Sequence, residues 1–425
     1  MTLDRIRRTP TLDELRGRFA PLFASIADGA LQRELDRRLP HDEVALLKQA
    51  GFGAVRVPRD HGGYGASHAD LTQLLIDLAA ADNNLAQALR GHFAFAEDRL
   101  WHHVRDGGQE VWFERFVAGQ VAGNAWSEVG ATAIDTQGTV LRPTGDGGYR
   151  LDGTKYYTTG TIFAEWVDVY VRRGDDEGGF AIALVDTDQA GVTVYDDWNG
   201  FGQVGTGSGT AVFVDASVAP TDVLPFDRRF PYQTALYQLN LLATLVGIGR
   251  AALSDVVAQV RGRERTYSHA NAPRVRDDAQ VLAKVGEIAA AVYAAEAVTL
   301  RVADALDAAH EAALLDPEEI ARRAEAAELE SSAAQVIVTD LVLRATSDLF
   351  DTLGASGTAQ EKGLDRHWRN ARTVASHNPR ILKARVVGDA EVNGTPPPYA
   401  WAIGRTERDR SDWVPRDVPA AEVVG

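Results

Sequence analysis

Apolar residues recur at helical spacing through the first 120 residues of the 425-residue chain. Leu12, Leu15, Phe19, Leu22 and Phe23 form one stripe. His41-Asp42-Glu43 after Pro40 open a second helix carrying Val44, Leu46 and Leu47, and Leu71, Leu74, Leu75 and Leu78 mark another. A further helical stretch is predicted from Asn83 to Val104, where His92 lies among Phe93, Phe95 and Trp101. The intervening GFGAVRVPRDHGGYGAS is turn-like. It lacks the Lys-Ser/Thr ending of a phosphate-binding loop.

Near residue 121 the period changes. GGYRLDGTKYYTTG predicts two strands around an Asp152-Gly153 turn, and WVDVYVRR, GFAIALVDT, GVTVYDDW and GTAVFVDASV continue as short strands. Their even spacing predicts a small barrel or sandwich. From residue 232 the pattern is helical again. QTALYQLNLLATLVGIGRAALSDVVAQV is apolar, Val281, Val285, Ile288 and Val292 form a stripe, and Asp316-Pro317-Glu318-Glu319 is a capped start for a helix ending near Gly354. The expected architecture is α+β and mostly α: a helical domain over 1–120, a β-barrel domain over 121–231, a helical bundle over 232–395 and a surface tail over 396–425. No parallel βαβ unit with a dinucleotide fingerprint is present.

Charge and composition narrow the function. The formal charge is 44 − 60 = −16, which argues against nucleic-acid and anionic-membrane partners. With no cysteine, disulfides, thiolate catalysis and Cys-ligated zinc are excluded, and no metal site is expected. The first residues carry no apolar segment of the secretory type, and no apolar run is expected to reach membrane-spanning length, so the expectation is a soluble, cytoplasmic protein.

The densest chemistry lies in GLDRHWRNARTVASHNP, Gly363 to Pro379. Arg366, Arg369 and Asn370 share one helical face, and the segment runs on to His377 before Asn378-Pro379 stops it. This is either a salt-bridged helix or a place for an anionic ligand held between subunits. Taken with AWSE, KYYTTG and LGASGTAQEKGLDRHWRNAR in this order, the chain resembles the acyl-CoA dehydrogenase superfamily over about residues 10–395. That resemblance implies an N-terminal helical domain, a central β domain, a C-terminal four-helix bundle, a flavin at their junction and a homotetramer, a dimer of dimers.

Dehydrogenation of a thioester needs a carboxylate base within reach of the α-carbon. The family supplies it at one of two places. Here one reads Ala375-Ser376-His377-Asn378-Pro379, and the other, between Asp227 and Asp255, contains no acid. The ending ARTVASHNP is similar instead to the monooxygenase branch, dibenzothiophene monooxygenase and its relatives. The resemblance then implies a two-component enzyme. A partner reductase supplies reduced flavin, FMNH2 with FAD as the alternative, O2 adds to give a C4a-hydroperoxyflavin, and one oxygen passes to a small heterocyclic, sulfur-containing, amine or aromatic substrate.

By the same resemblance His92, Thr159 and His377 are the catalytic candidates, the histidines donating hydrogen bonds or shuttling protons. Asn124, Ser127, Thr158, Trp198 and Arg369 are cofactor contacts, and Arg263 or Arg265 reaches the flavin phosphate of a neighbouring subunit. Val374 and Ala96 stand where the dibenzothiophene enzyme has a histidine and a tyrosine. The alternatives are an acyl-CoA dehydrogenase or oxidase with a base relocated to Glu97, Asp98 or Glu361, and a flavin-free interaction protein.

Overall fold

The computed structural model describes residues 10–128, 138–174 and 179–398. Helices α1 (Leu12–Asp36), α2 (His41–Gln49), α3 (His68–Ala88), α4 (Arg90–Asp106) and α5 (Glu110–Val117) come first. Thr11 and Glu14 form a capping box that starts α1, and its Leu15, Phe19, Phe23 and Ile26 are buried. The expected helix start at Asn83 appears as a kink inside α3. Asp82 leaves helical geometry (φ −154, ψ 107), and its carboxylate caps the Asn84 N–H at 3.1 Å.

The strands β1 (Ala122–Ala125), β2 (Val140–Pro143), β3 (Tyr149–Tyr156), β4 (Trp166–Arg173), β5 (Phe180–Asp186), β6 (Val192–Val194), β7 (Thr210–Val218) and β8 (Val223–Pro225) make one sheet. Its order is β6-β7-β3-β2-β4-β5-β8, with β1 pairing parallel to β4. The Asp152-Gly153 hairpin is not formed. β3 runs straight through both residues, and its register against β7 slips between Leu151 and Gly153. Gly153 has φ +152, and a Cβ there would collide with Thr139. The glycine therefore serves a bulge and a close approach, the other use of an isolated strand glycine. The reversal between β2 and β3 is made at Thr144–Gly148 instead.

Alternation along the strands gives the sheet two apolar faces. Val167, Val169 and Val171 of β4 join Ala181, Ala183 and Val185 of β5 in a core private to the sheet. Tyr170, Ile182 and Leu184 point the other way, into the helical core.

The C-terminal part comprises α6 (Gln233–Gly262), α7 (Ala279–Glu311), α8 (Pro317–Asp348), α9 (Asp365–Ala375) and α10 (Lys383–Asn393). Asp316 caps α8 through the Glu319 N–H, as its sequence predicts. The expectation that no apolar run reaches membrane length fails for α6, whose 30 residues are long and apolar enough to span a bilayer. Its apolar surface is covered by protein instead: α3 packs along one side and α7, α8 and α9 along others. Of the expected tail, everything beyond residue 398 lies outside the described residues.

Candidate functional site at the junction of three domains

Helix α9 ties the domains together. Arg366 and His367 both bind Asp255 of α6, at 2.6 and 2.7 Å. Arg369 donates to Glu34 of α1 (3.0 Å), Asp365 (2.8 Å) and the Phe201 carbonyl (2.8 Å). Asn370 accepts from the Gln203 N–H at 2.5 Å. The salt-bridged reading of this helix is therefore the one seen. Arg369, expected to touch the cofactor, is occupied by three protein acceptors.

Immediately after α9 the character changes. His377 is exposed at its surface, although the surrounding protein partly encloses its ring. That enclosure, with Arg90 nearby, pushes its imidazole down to about 3. Asn378 donates from Nδ2 to Gln238 of α6 (2.8 Å), which leaves its Oδ1 to accept from His377 Nδ1 at 3.2 Å. His377 Nε2 is then a bare acceptor with no partner among the described residues. The expected hydrogen-bond donor is a neutral acceptor.

From the β domain, Thr159 is buried and its hydroxyl meets Ser208 at 2.8 Å; Ser208 meets Thr206 at 2.7 Å, and Thr206 donates to the Gln203 carbonyl at 2.9 Å. The last bond sets the direction of the chain. Each hydroxyl passes its proton on, and Thr159 Oγ is left with lone pairs. Thr158, by contrast, spends its hydroxyl and its N–H on the Gly209 carbonyl (2.9 and 3.1 Å). Between these segments Tyr157 and Gln203 take left-handed backbone (φ +66 and +56), a strain that clusters at functional loops.

Asn124 of β1 is buried, and its Oδ1 has no hydrogen-bond partner. It lies against Gly91, where a Cβ would come within 2.9 Å of that oxygen. Beside Gly91, Arg90 is buried over the Tyr237 ring at 5.1 Å. Trp126 packs on the same tyrosine at 5.9 Å. Arg90, Asn124, Tyr237, Gln238, Asn378 and His377 thus converge from α4, β1, α6 and the segment after α9.

Five other expected residues lie differently. His92 is fully buried. Its Nε2–H donates to the Gly53 carbonyl (2.8 Å) and its Nδ1 accepts from the Ala122 N–H (3.3 Å). No ring nitrogen remains for a ligand, and burial lowers its pKa to about 4. It pins β1 to the helical domain, which corrects the proton-shuttle expectation. Ser127 is exposed, and its carbonyl accepts from Tyr156 at 3.0 Å. Trp198 donates its indole N–H to the Gly202 carbonyl (3.1 Å) and meets Tyr157 edge-on at 6.0 Å. Arg263 spends its guanidinium on the Leu353 and Arg265 carbonyls, in a cleft of about 240 Å³ that Lys362 also lines. Arg265 is exposed, with no side-chain bond to the described residues.

The relocated-base alternative loses its candidates. Glu97 accepts from Arg56 (2.7 Å), Tyr232 (2.6 Å) and His310 (2.8 Å), with His68 at 3.1 Å. Burial alone would raise its pKa, but these partners hold it well below the ordinary carboxylate value. Asp98, beside Arg99 and Arg229, is brought to about 2 in the same way. Asp168 is bound by Arg229 at 2.9 Å and by Trp126 at 2.7 Å. Glu361 is exposed on a separate turn. The His68–Glu97–His310 trio has the spacing of a metal site, but Arg56 lies 3.1 Å from His68 and 2.7 Å from Glu97 and competes with any cation.

Residues 239–379 match the acyl-CoA dehydrogenase C-terminal domain model. The chain has the acyl-CoA dehydrogenase fold and is similar to flavin-dependent monooxygenases that share it. It is 28% identical to dibenzothiophene monooxygenase of Rhodococcus qingshengii over 373 residues, 83% of this chain and 86% of that one. It superposes on methanesulfinate monooxygenase MsuC of Pseudomonas fluorescens with a TM-score of 0.81 at 26% identity, covering 91% and 98% of the two chains. TdsC of Paenibacillus sp. A11-2, solved with FMN and indole, gives 0.81 at 26% identity, covering 90% and 97%.

Proposed function

We propose that the chain is the oxygenase of a two-component system. It takes reduced flavin, FMNH2 or alternatively FADH2, from a separate reductase and uses O2 to oxygenate a small heterocyclic, sulfur-containing, amine or aromatic substrate, as a soluble homotetramer. The observation that carries this reading is the chemistry of the junction. It offers neutral acceptors and a cation, whereas Glu97 and Asp98 are held by arginine with depressed pKa values that unfit them as the base of a dehydrogenase.

The unpartnered Asn124 Oδ1 and the one-way hydroxyl chain ending at Thr159 fit the N–H groups of a reduced flavin ring. When bound, the flavin supplies the electrons that activate O2. Thr159 and Asn124 would accept hydrogen bonds from it and help to orient it, and Trp198 would pack beside it. His377, held neutral, accepts from a ligand N–H or O–H without adding charge. Arg265 is the arginine free to reach a phosphate on a neighbouring subunit; Arg263 holds the turn.

Anaerobic mixing with reduced FMN, then O2, tests this. The protein should slow flavin reoxidation and hydrogen peroxide release and give an absorbance transient absent from free flavin. Reoxidation at the free-flavin rate, with bleaching of bound FAD by an acyl-CoA, would establish the dehydrogenase instead.

A further inference from the structure

We propose that Arg90 anchors a negatively charged group of the substrate, so that the substrate is a small organic monoanion such as a carboxylate, sulfinate or sulfonate. The inference rests on the oxygenase reading only for what then happens to that anion. Five arginines of the described residues are buried: Arg33, Arg56, Arg90, Arg99 and Arg229. Four have carboxylates: Arg33 with Glu43 and Asp82, Arg56 with Glu97, Arg99 with Asp98, Arg229 with Asp168. Arg90 has no ion pair and no hydrogen bond among the described residues. Its Nε is enclosed without an acceptor, and its guanidinium lies over the Tyr237 ring. A buried guanidinium costs far more in lost hydration than one aromatic face returns. A protein that pairs its other buried arginines and leaves this one bare has left room for an anion.

The surroundings fix where that anion sits and how much charge it carries. Arg90 is close enough to His377 to depress its protonation. Tyr237, beneath Arg90, directly precedes Gln238, which holds Asn378 and through it His377. Gly91, next to Arg90, abuts Asn124. Arg90 is the one buried arginine of the described residues without a counter-ion, so the site fits one negative charge. The planar guanidinium suits a two-oxygen head group.

The test uses flavin-free protein, with calorimetric titration and melting curves. Benzoate and benzenesulfinate are the probes; benzamide and methyl phenyl sulfone are their neutral counterparts. The anions should bind and raise the Tm, and the neutral compounds should bind far more weakly. Arg90→Gln should weaken the anions by about tenfold to a hundredfold while leaving the neutral compounds unchanged. Arg90→Lys should recover part of the loss. Without ligand, Arg90→Gln should melt at the same temperature or higher, because it deletes an uncompensated charge. Equal affinity for anions and neutral compounds, unchanged anion affinity in Arg90→Gln, or a lower Tm of that variant would each overturn the proposal. So would loss of reduced-FMN affinity alone, which would make Arg90 a flavin contact. Arg90-dependent anion binding with free-flavin reoxidation would keep the anchor and sink the oxygenase reading. Controlled reoxidation with Arg90-independent binding would do the reverse.

Discussion

Helix α4 carries two kinds of buried charge within a few turns. At its start Arg90 has no counter-ion. Two turns on, Glu97, Asp98 and Arg99 sit in an ion-paired network with Arg56, Arg229, Tyr232 and His310. The two regions share a helix, a depth and a chemistry, and differ only in whether the fold supplies partners. Where it does, the charges join α4 to the neighbouring loop, to α7 and to the segment before α6. Where it does not, Arg90 is left over the Tyr237 ring with no acceptor. The same split separates the two histidines, His92 spent on two backbone groups and His377 with a nitrogen to spare.

The largest effect should come from breaking the ion-paired end. Glu97→Ala strips the acceptor from Arg56, Tyr232 and His310 and leaves a buried guanidinium uncompensated, for a loss of about 3–5 kcal/mol. Denaturant melts would measure it; a loss under about 1 kcal/mol would mean that the network is not the brace described.

Acid should act through the same groups. The folded-state pKa values of Glu97 and Asp98 are depressed, so their contribution is complete above the unfolded values of 4.5 and 3.8 and disappears as the pH falls through the folded ones, about 2 for Asp98. Tm should therefore fall on acidification from pH 5 toward 3, and less steeply in Glu97→Ala than in the parent. Parallel slopes would assign acid sensitivity to other carboxylates.

Much of this was legible in the chain because the signals are local. The stripe of α1, the Asp316 cap and the change of period near 121 each need only a few adjacent residues. The misreadings arose where a residue type serves two geometries or where the partner is distant. Asp-Gly marks a hairpin turn or a bulge, and only contact between Gly153 and Thr139 decides which. Arg369 looked available because Glu34, 335 positions away, cannot be paired with it by spacing. Arg90 went unnoticed for the opposite reason. A missing partner has no signature in sequence, and the residues around it come from β1, α6 and the segment after α9.

A smaller loss is expected at His92. His92→Ala leaves the Gly53 carbonyl and the Ala122 N–H buried without partners, costing about 1–3 kcal/mol. Flavin reoxidation by the folded fraction should stay within about twofold, since no ring nitrogen faces a ligand. A rate collapse at unchanged Tm would restore His92 to the chemistry.

The smallest effect on stability, and the most informative, belongs to His377. Its side chain makes one hydrogen bond to Asn378 and keeps accessible surface, so His377→Ala should shift stability by no more than about 0.5 kcal/mol. Product formation should fall by about tenfold to a hundredfold if Nε2 orients the ligand. The pH profile separates orientation from proton transfer. Held near 3 by enclosure and by Arg90, His377 stays neutral throughout pH 5–8 and contributes no limb to the rate profile there. Arg90→Gln relieves part of that repulsion and should raise the imidazole pKa, which NMR titration of the ring would report. A limb near pH 6 that vanishes in His377→Ala would show instead that this histidine is hydrated and charges freely. The two ends of α4 would then no longer divide into a paired scaffold and an unpaired site.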